Sequence, residues 1–169
     1  RIPPFFWKQI AYKIETKELI DKGYLAPVKY WSSTVDTSDL KVNSTGRDFT
    51  EDSIAKYSDK VLNRTVEVIT KLNDRQSFNK MLVFVSSITR AKRAVELLNE
   101  LGIEAGYVTG TTPMKERTNT IEEFKNGNKL NILLNVGVLT TGFDAPRLDC
   151  IIMARPTMSV SLYYQMLGR

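Results

Sequence analysis

The apolar positions of this chain follow two rhythms. Short, largely apolar runs occur at Met81–Val85, Ile103–Val108, Asn131–Val136 and Cys150–Ala154. Each is too short for a helix and is bounded by Gly, Ser, Thr or Pro, which predicts strands buried on both faces. Between them the spacing changes. Thr89–Leu101 places Ala91, Ala94, Val95, Leu98 and Leu101 at helical intervals and stops at Gly102. A second helix is predicted from Pro113, with Thr112 as its cap and Met114, Ile121 and Phe124 as its buried face, ending at Asn126-Gly127. A last helix is predicted over Ser159–Gly168. Strands alternating with helices of this length imply right-handed crossovers and a parallel sheet covered on both faces, so the fold class is α/β.

The first half is more irregular. Residues 1–11, RIPPFFWKQIA, carry two prolines and the adjacent aromatics Phe5, Phe6 and Trp7. Such a start resembles a cut through a longer polypeptide, since those rings would want a covering surface. Thr16–Gly23 reads as a short helix capped by Thr16 and closed by Gly23. Ala26–Val35 alternates enough to predict a strand, and Asp36–Asp48 reads as a flexible surface loop with no chemistry in it. Two helices are then expected. The first is capped by Thr50, with Glu51 and Asp52 in its first turn. The second spans Val61–Leu72 and has a core-facing stripe. Lys71–Asn79 connects them to the sheet.

Chemistry concentrates where the predicted strands end, which is where open parallel sheets build ligand sites. Ser86 and Ser87, then Arg90, follow the first; Thr109, Gly110 and Thr111 follow the next; Thr140, Thr141 and Gly142 lead to Asp144 and stop at Pro146. A Thr-Thr-Gly turn offers amides and hydroxyls, and Arg169 adds a cationic fork, so an anionic ligand is expected. Taken singly, each residue has a plainer reading. Ser and Thr commonly end strands, Gly-Arg commonly ends helices, and Asp144 could be a turn residue.

Composition narrows the classes. A chain of 169 residues, 42% hydrophobic and 25% charged, suits one ordinary globular domain with an appended arm. The net charge of +5 leans toward a polyanionic partner, but Lys and Arg are spread along the chain and a mixed surface accounts for them equally well. There is no histidine and one cysteine, Cys150, inside a predicted strand. This removes Ser-His-Asp and Cys-His catalysis and the usual zinc sites, excludes an internal disulfide, and fits a reducing, cytoplasmic setting. No run approaches the roughly 20 apolar residues of a membrane span. No signal-peptide pattern opens the chain. It contains no G-x-x-x-x-G-K-[ST] phosphate loop, no D-E-x-[DH], and no G-x-G-x-x-G after a strand.

Four segments together carry a family resemblance. Val138–Pro146, VLTTGFDAP, resembles motif V of superfamily-two helicases, and Gln165–Arg169, QMLGR, resembles the start of their motif VI, Q-x-x-G-R-x-x-R. Met81–Ser87 is similar to motif IV, and Tyr107–Pro113 sits where that family places a nucleic-acid-facing loop. Gly23–Pro27 follows the family's G-Y-L-x-P link between motor lobes. The wording LTTGFDAP followed by RPT-x-S-x-x-LY-x-Q-x-x-GR most resembles the RadD-like branch of DNA-repair and phage helicases, related to type III restriction translocases.

The resemblance implies a RecA-like parallel sheet flanked by helices, a P-loop-NTPase-like lobe without the P-loop. Residues 1–47 would be a linker arm from a first lobe, and residues 48–169 the C-terminal RecA-like domain, ending within motif VI. The parent would be an ATP-dependent helicase or translocase. ATP with Mg2+ would be held mainly by the first lobe, so this stretch alone is not expected to hydrolyse ATP. Gly142, Asp144 and Thr141 would touch the nucleotide, and Arg169 and Gln165 would be catalytic. Ser86, Ser87, Arg90, Thr109, Gly110, Thr111 and Thr140 would hold nucleic acid, with DNA favoured over RNA, although Thr140 and Thr141 could serve either ligand. The alternatives are a nucleic-acid-binding module that kept the fold without a motor partner, and an α/β enzyme acting on sugar phosphates. Two departures stand out. Val136 and Gly137 replace a Thr and an Asp or Ser that in many relatives touch a nucleic-acid phosphate, leaving Asn135 as the nearby polar residue. The chain also stops at Arg169, before the family's second motif VI arginine.

Overall fold

Four short, largely apolar runs assemble as expected. In the computed structural model, which describes residues 12–76, 78–139 and 143–168, β1 (Met81–Phe84), β2 (Ala105–Thr109), β3 (Ile132–Val136) and β4 (Cys150–Met153) form one parallel sheet in the order β2-β3-β1-β4. Met81 pairs with Ile132 on one side and Cys150 on the other, and Ala105 with Ile132, so all four strands point the same way. Their C-terminal ends share one edge of the sheet.

The chain separates into two compact units, residues 1–34 and 35–169. The described part of the first holds α1 (Thr16–Asp21) and an exposed extended segment. Glu15, not Thr16, occupies the cap position of α1, and no side-chain bond caps it. The strand expected over Ala26–Val35 does not form. Tyr30 and Trp31 stay exposed, because alternation makes a strand only where a neighbouring edge takes its hydrogen bonds, and no strand among the described residues pairs there.

The second unit opens with order where a flexible loop was expected. Val42 bridges Phe49 in antiparallel fashion, the Asn43 amide donates to the Asp48 carbonyl at 2.8 Å, and that of Thr50 to Lys41 at 2.8 Å. The Asn43 side chain folds the tip by accepting from the amides of Thr45 and Arg47, each at 3.2 Å. One helix follows instead of two: α2 runs unbroken for 24 residues, Glu51–Asp74, capped by Thr50 through the Ser53 amide. It contains no Gly or Pro. The hydroxyls of Ser58, Thr65 and Thr70 turn back to the carbonyls of Ile54, Val61 and Val66 at 2.8–2.9 Å and stay compatible with the helix.

The helices α3 (Ile88–Glu100), α4 (Met114–Asn126) and α5 (Val160–Leu167) complete the layers. Pleating sends Met81, Val83, Ile132 and Leu134 to one face, where they meet Ile69 of α2 and Ala91, Ala94 and Leu98 of α3. Leu82, Phe84 and Leu133 point to the other, against Phe124 of α4, Phe143, Ala145, and Met166 of α5. Burying each such side chain stabilises the fold by roughly 1.5–3 kcal/mol. Gly102, at φ +75°, ends α3 and lets the Ile103 amide reach back to the Leu98 carbonyl at 2.9 Å. Thr112 does not cap α4; its hydroxyl accepts from the Thr109 amide at 3.0 Å, and Pro113 takes the cap position. β4 is half-buried, Cys150 included, since it is an edge strand with β1 on one side only.

Just before β1, at the N-terminal ends of the strands, Lys80 is 1% exposed and its ammonium donates to the carbonyls of Gly127 and Leu130, both at 2.8 Å, and to Asn131 Oδ1 at 2.9 Å. Three donors meet three acceptors, which is how a buried ammonium is retained.

Candidate functional site

The loops at the C-terminal edge differ in how far their polar groups are already used. After β1, Ser86 is hydrogen-bonded through its hydroxyl to Ser58 of α2, and the Arg90 guanidinium is paired with Asp59, one residue further along α2. Ser87 is half-buried at the start of α3, where its carbonyl accepts from the Ala91 amide at 2.9 Å while its side chain makes no cap bond. After β2, Thr109 is 2% exposed, and its hydroxyl lies 3.0 Å from that of Thr111 and 3.1 Å from that of Thr112. This hydroxyl knot leaves Gly110 and Thr111 exposed at the tip. A Cβ on Gly110 would stand 3.9 Å from a methyl of Val138, so the β2 and β3 loops are neighbours.

After β3 the chain turns at Gly137, with φ +73°, a conformation that explains a glycine there in place of a side chain with a hydroxyl or carboxylate. Asn135 is fully buried, and its Oδ1 accepts from the amides of Val138 and Leu139, both at 3.0 Å. Its Nδ2 is buried with no hydrogen-bond partner. Asn135 thus pins the start of the loop that carries the Thr-Thr-Gly turn. Thr140, Thr141 and Gly142 themselves lie outside the described residues, as does Arg169.

Past that turn, Phe143 and Ala145 are each 8% exposed and point into the core, while Asp144 between them is exposed. Flanked in this way, the carboxylate is directed outward from a fixed stretch of backbone. α5 is held in the same apolar cluster through Leu162 and Met166, the latter 1% exposed. On α5, Gln165 is half-buried and its amide lies 3.5 Å from the Ser161 hydroxyl. The helix ends at Gly168, whose amide donates to the Tyr164 carbonyl at 3.0 Å. Tyr163 and Tyr164 sit edge to face, 5.7 Å between centroids, beside an open depression lined also by Thr157–Val160.

Two features of this edge had no sequence signal strong enough to single them out. Asp48 accepts from the Met158 amide at 2.9 Å and the Thr157 hydroxyl at 3.1 Å. Partial burial pushes its pKa up, but the amides of Met158 and Phe49, the Thr157 hydroxyl and the nearby Arg155 charge outweigh that and hold it below the usual carboxylate value. Arg155, just beyond β4, has a buried Nε with no hydrogen-bond partner. Among the described residues no group of three or more His, Cys, Asp or Glu is placed to hold a metal ion. No described helix is long and apolar enough to cross a membrane.

Comparison with known proteins agrees with this arrangement. Residues 61–169 match the helicase conserved C-terminal domain. The chain is 36% identical over 166 residues, 95% of its length, to IRC3 of Saccharomyces cerevisiae, which carries the name of an ATP-dependent helicase and of which it covers 24%. It is 31% identical over 91% of its length to a 51.5 kDa Lactococcus phage protein, covering 34% of that chain. It therefore spans between 24% and 34% of the length of these relatives. Among solved structures, the Pyrococcus furiosus Hef helicase domain superposes with a TM-score of 0.54 at 25% identity, over 64% of this chain and 23% of that one. The family match covers the whole sheet, the loop that carries Asp144 and the helix α5 that carries Gln165, so the chain belongs to the helicase conserved C-terminal domain family, as a RecA-like C-terminal lobe of the superfamily-two kind.

Proposed function

We propose that residues 48–169 are the second motor lobe of an ATP-dependent helicase or translocase, and that residues 1–47 are the arm leading into it from a first lobe. One observation carries the reading. Phe143 and Ala145, which flank Asp144, share an apolar cluster with Leu162 and Met166 of α5. The exposed carboxylate and the helix leading to Arg169 are therefore anchored on the same side of the sheet.

Bound between two lobes, ATP with Mg2+ supplies the phosphoryl group whose transfer drives the cycle. The described residues fit a contact with its sugar or phosphates, not a metal shell, since Asp144 is an exposed carboxylate with no acidic cluster around it. Asp144 accepts hydrogen bonds from ribose hydroxyls, and Gly142 and Thr141 let the backbone approach. Arg169 neutralises charge on the γ-phosphate as the lobes close, a contribution worth about 10³–10⁵ in rate in related chemistry. Gln165 steadies that region. Closing and reopening convert hydrolysis into movement along a strand.

Nucleic acid, DNA in preference to RNA on the motif wording, is gripped through its phosphates by Gly110 and Thr111, both exposed, together with Ser87 and with Thr140, which lies outside the described residues. Thr109 supports that loop from within. Ser86 and Arg90 join only if their bonds to α2 exchange for phosphate oxygens. In the full-length parent, Arg169→Ala should leave nucleotide binding intact and cut nucleic-acid-stimulated hydrolysis by at least about tenfold. Unchanged turnover removes Arg169 from the site, and a parent that hydrolyses no ATP with nucleic acid present overturns the reading.

A further inference from the structure

α5 has eight residues, too few to hold a helix in place unaided, so its position depends on what anchors each end. Its C-terminal half is fixed by Met166 in the core. At its start, hydrogen bonds run in a chain. The Leu162 amide donates to Ser159 Oγ at 3.3 Å, the Ser159 amide to Thr157 Oγ1 at 3.0 Å, and the Thr157 hydroxyl to Asp48 Oδ2 at 3.1 Å. Asp48 Oδ1 accepts from the Met158 amide and from its own neighbour Phe49, each at 2.9 Å. Both carboxylate oxygens are thus committed, and one of them reaches a partner 110 positions away.

We propose that Asp48 is a positioning residue for motor chemistry: its carboxylate latches Thr157 and Met158, the two residues that lead into the Ser159 cap of α5, to the 42–49 hairpin and so sets where Gln165 and the helix end are presented. This rests on the function proposed above. The hairpin is itself rigid, since backbone bonds at Asn43 and Thr50 close it and Asn43 folds its tip. It runs directly into the Thr50 cap of α2. The latch therefore joins the N-terminus of the long helix to that of the short one. A carboxylate suits the task better than a hydroxyl, because it alone can accept from three donors at once. The unpartnered Arg155 Nε nearby adds positive charge that favours the ionised form.

The test uses the full-length parent with Asp48→Ala and Asp48→Asn. Asparagine keeps an oxygen for the Met158 amide and offers an N–H to the Thr157 hydroxyl, so it preserves the geometry without the charge. Asp48→Ala should lower stimulated kcat on the order of ten- to a hundredfold, with KM for ATP unchanged, because a displaced group far from the nucleotide-binding loop affects the transition state more than binding. Asp48→Asn should recover most of that loss. Hydrogen exchange provides a readout independent of turnover: amides over 158–164 should exchange faster in Asp48→Ala while those of β1 do not change. Unaltered exchange, unaltered kcat in an active parent, or an Asn variant as impaired as the Ala variant overturns the proposal. A parent with no ATP turnover overturns the motor reading and leaves exchange to decide the latch.

Discussion

The ring of Phe143 lies 6.2 Å from that of Phe124, with the two planes 28° apart. The residue that immediately precedes Asp144 is thereby stacked on α4, an element separated from it by β3, and the loop inherits the rigidity of the core. Removing the Phe143 ring in Phe143→Ala should cost about 3 kcal/mol in urea unfolding, with Phe143→Leu costing less than about 1.5 kcal/mol. An alanine variant with the original unfolding midpoint would show that the ring is not an anchor.

Asn135 sets the other end of the same loop. Asn135→Ala leaves the amides of Val138 and Leu139 without their acceptor, at a cost of about 1–3 kcal/mol. Amide exchange at those two positions should accelerate while β1 retains its protection. Equal exchange in both proteins counts against the pinning.

Cys150 should resist alkylation in the folded chain. Burial, and then the Asp149 carboxylate, push its thiol up to about 11, so at pH 8 on the order of a thousandth is thiolate. Iodoacetamide labelling should be slow and should accelerate when urea is added. The linkage has a definite sign. Above pH 9.0, the ordinary value, an unfolded thiol loses its proton while the folded one keeps it, so stability falls as pH rises through that window.

Acid acts on Asp48 in the opposite sense. Its folded pKa lies below the ordinary 3.8, so its contribution is fully present above that value and is lost as pH falls through the lowered one. Acid titration monitored by the tyrosines of α5 should show the latch failing only below the usual carboxylate range. Asp48→Ala should remove that transition, and its persistence in the variant would assign it to another group.

The sheet was legible because Met81–Phe84 and Ile132–Val136 have no polar side that could face water, Asn135 excepted, and because Gly and Ser mark their ends. The continuity of α2 was not. Between the Thr50 cap and Val61 the residues are mostly polar, and only the fold shows the Ser58 hydroxyl returning to the Ile54 carbonyl within one unbroken helix. Ala26–Val35 alternates like a strand, but pattern alone cannot supply a partner edge. Thr112 matches a cap by type and position, yet Thr109 competes for its hydroxyl. Asp48 carried no local signal at all, since its partners just before α5, Thr157 and Met158, are 109 and 110 positions distant. Periodicity reports burial, whereas long-range pairing of single polar atoms depends on the folded geometry.

A helix of 24 residues spans about 36 Å, and α2 contains neither a glycine nor a proline at which it could flex. It touches the loop after β1 through Ser58 and Asp59 and runs on without a break to Asp74. A torque applied at the Thr50 end has no joint in which to dissipate. From Thr50 to Ser58 and Asp59 the helix is a stiff strut set against the tip of β1, a geometry that resists bending at that edge of the lobe.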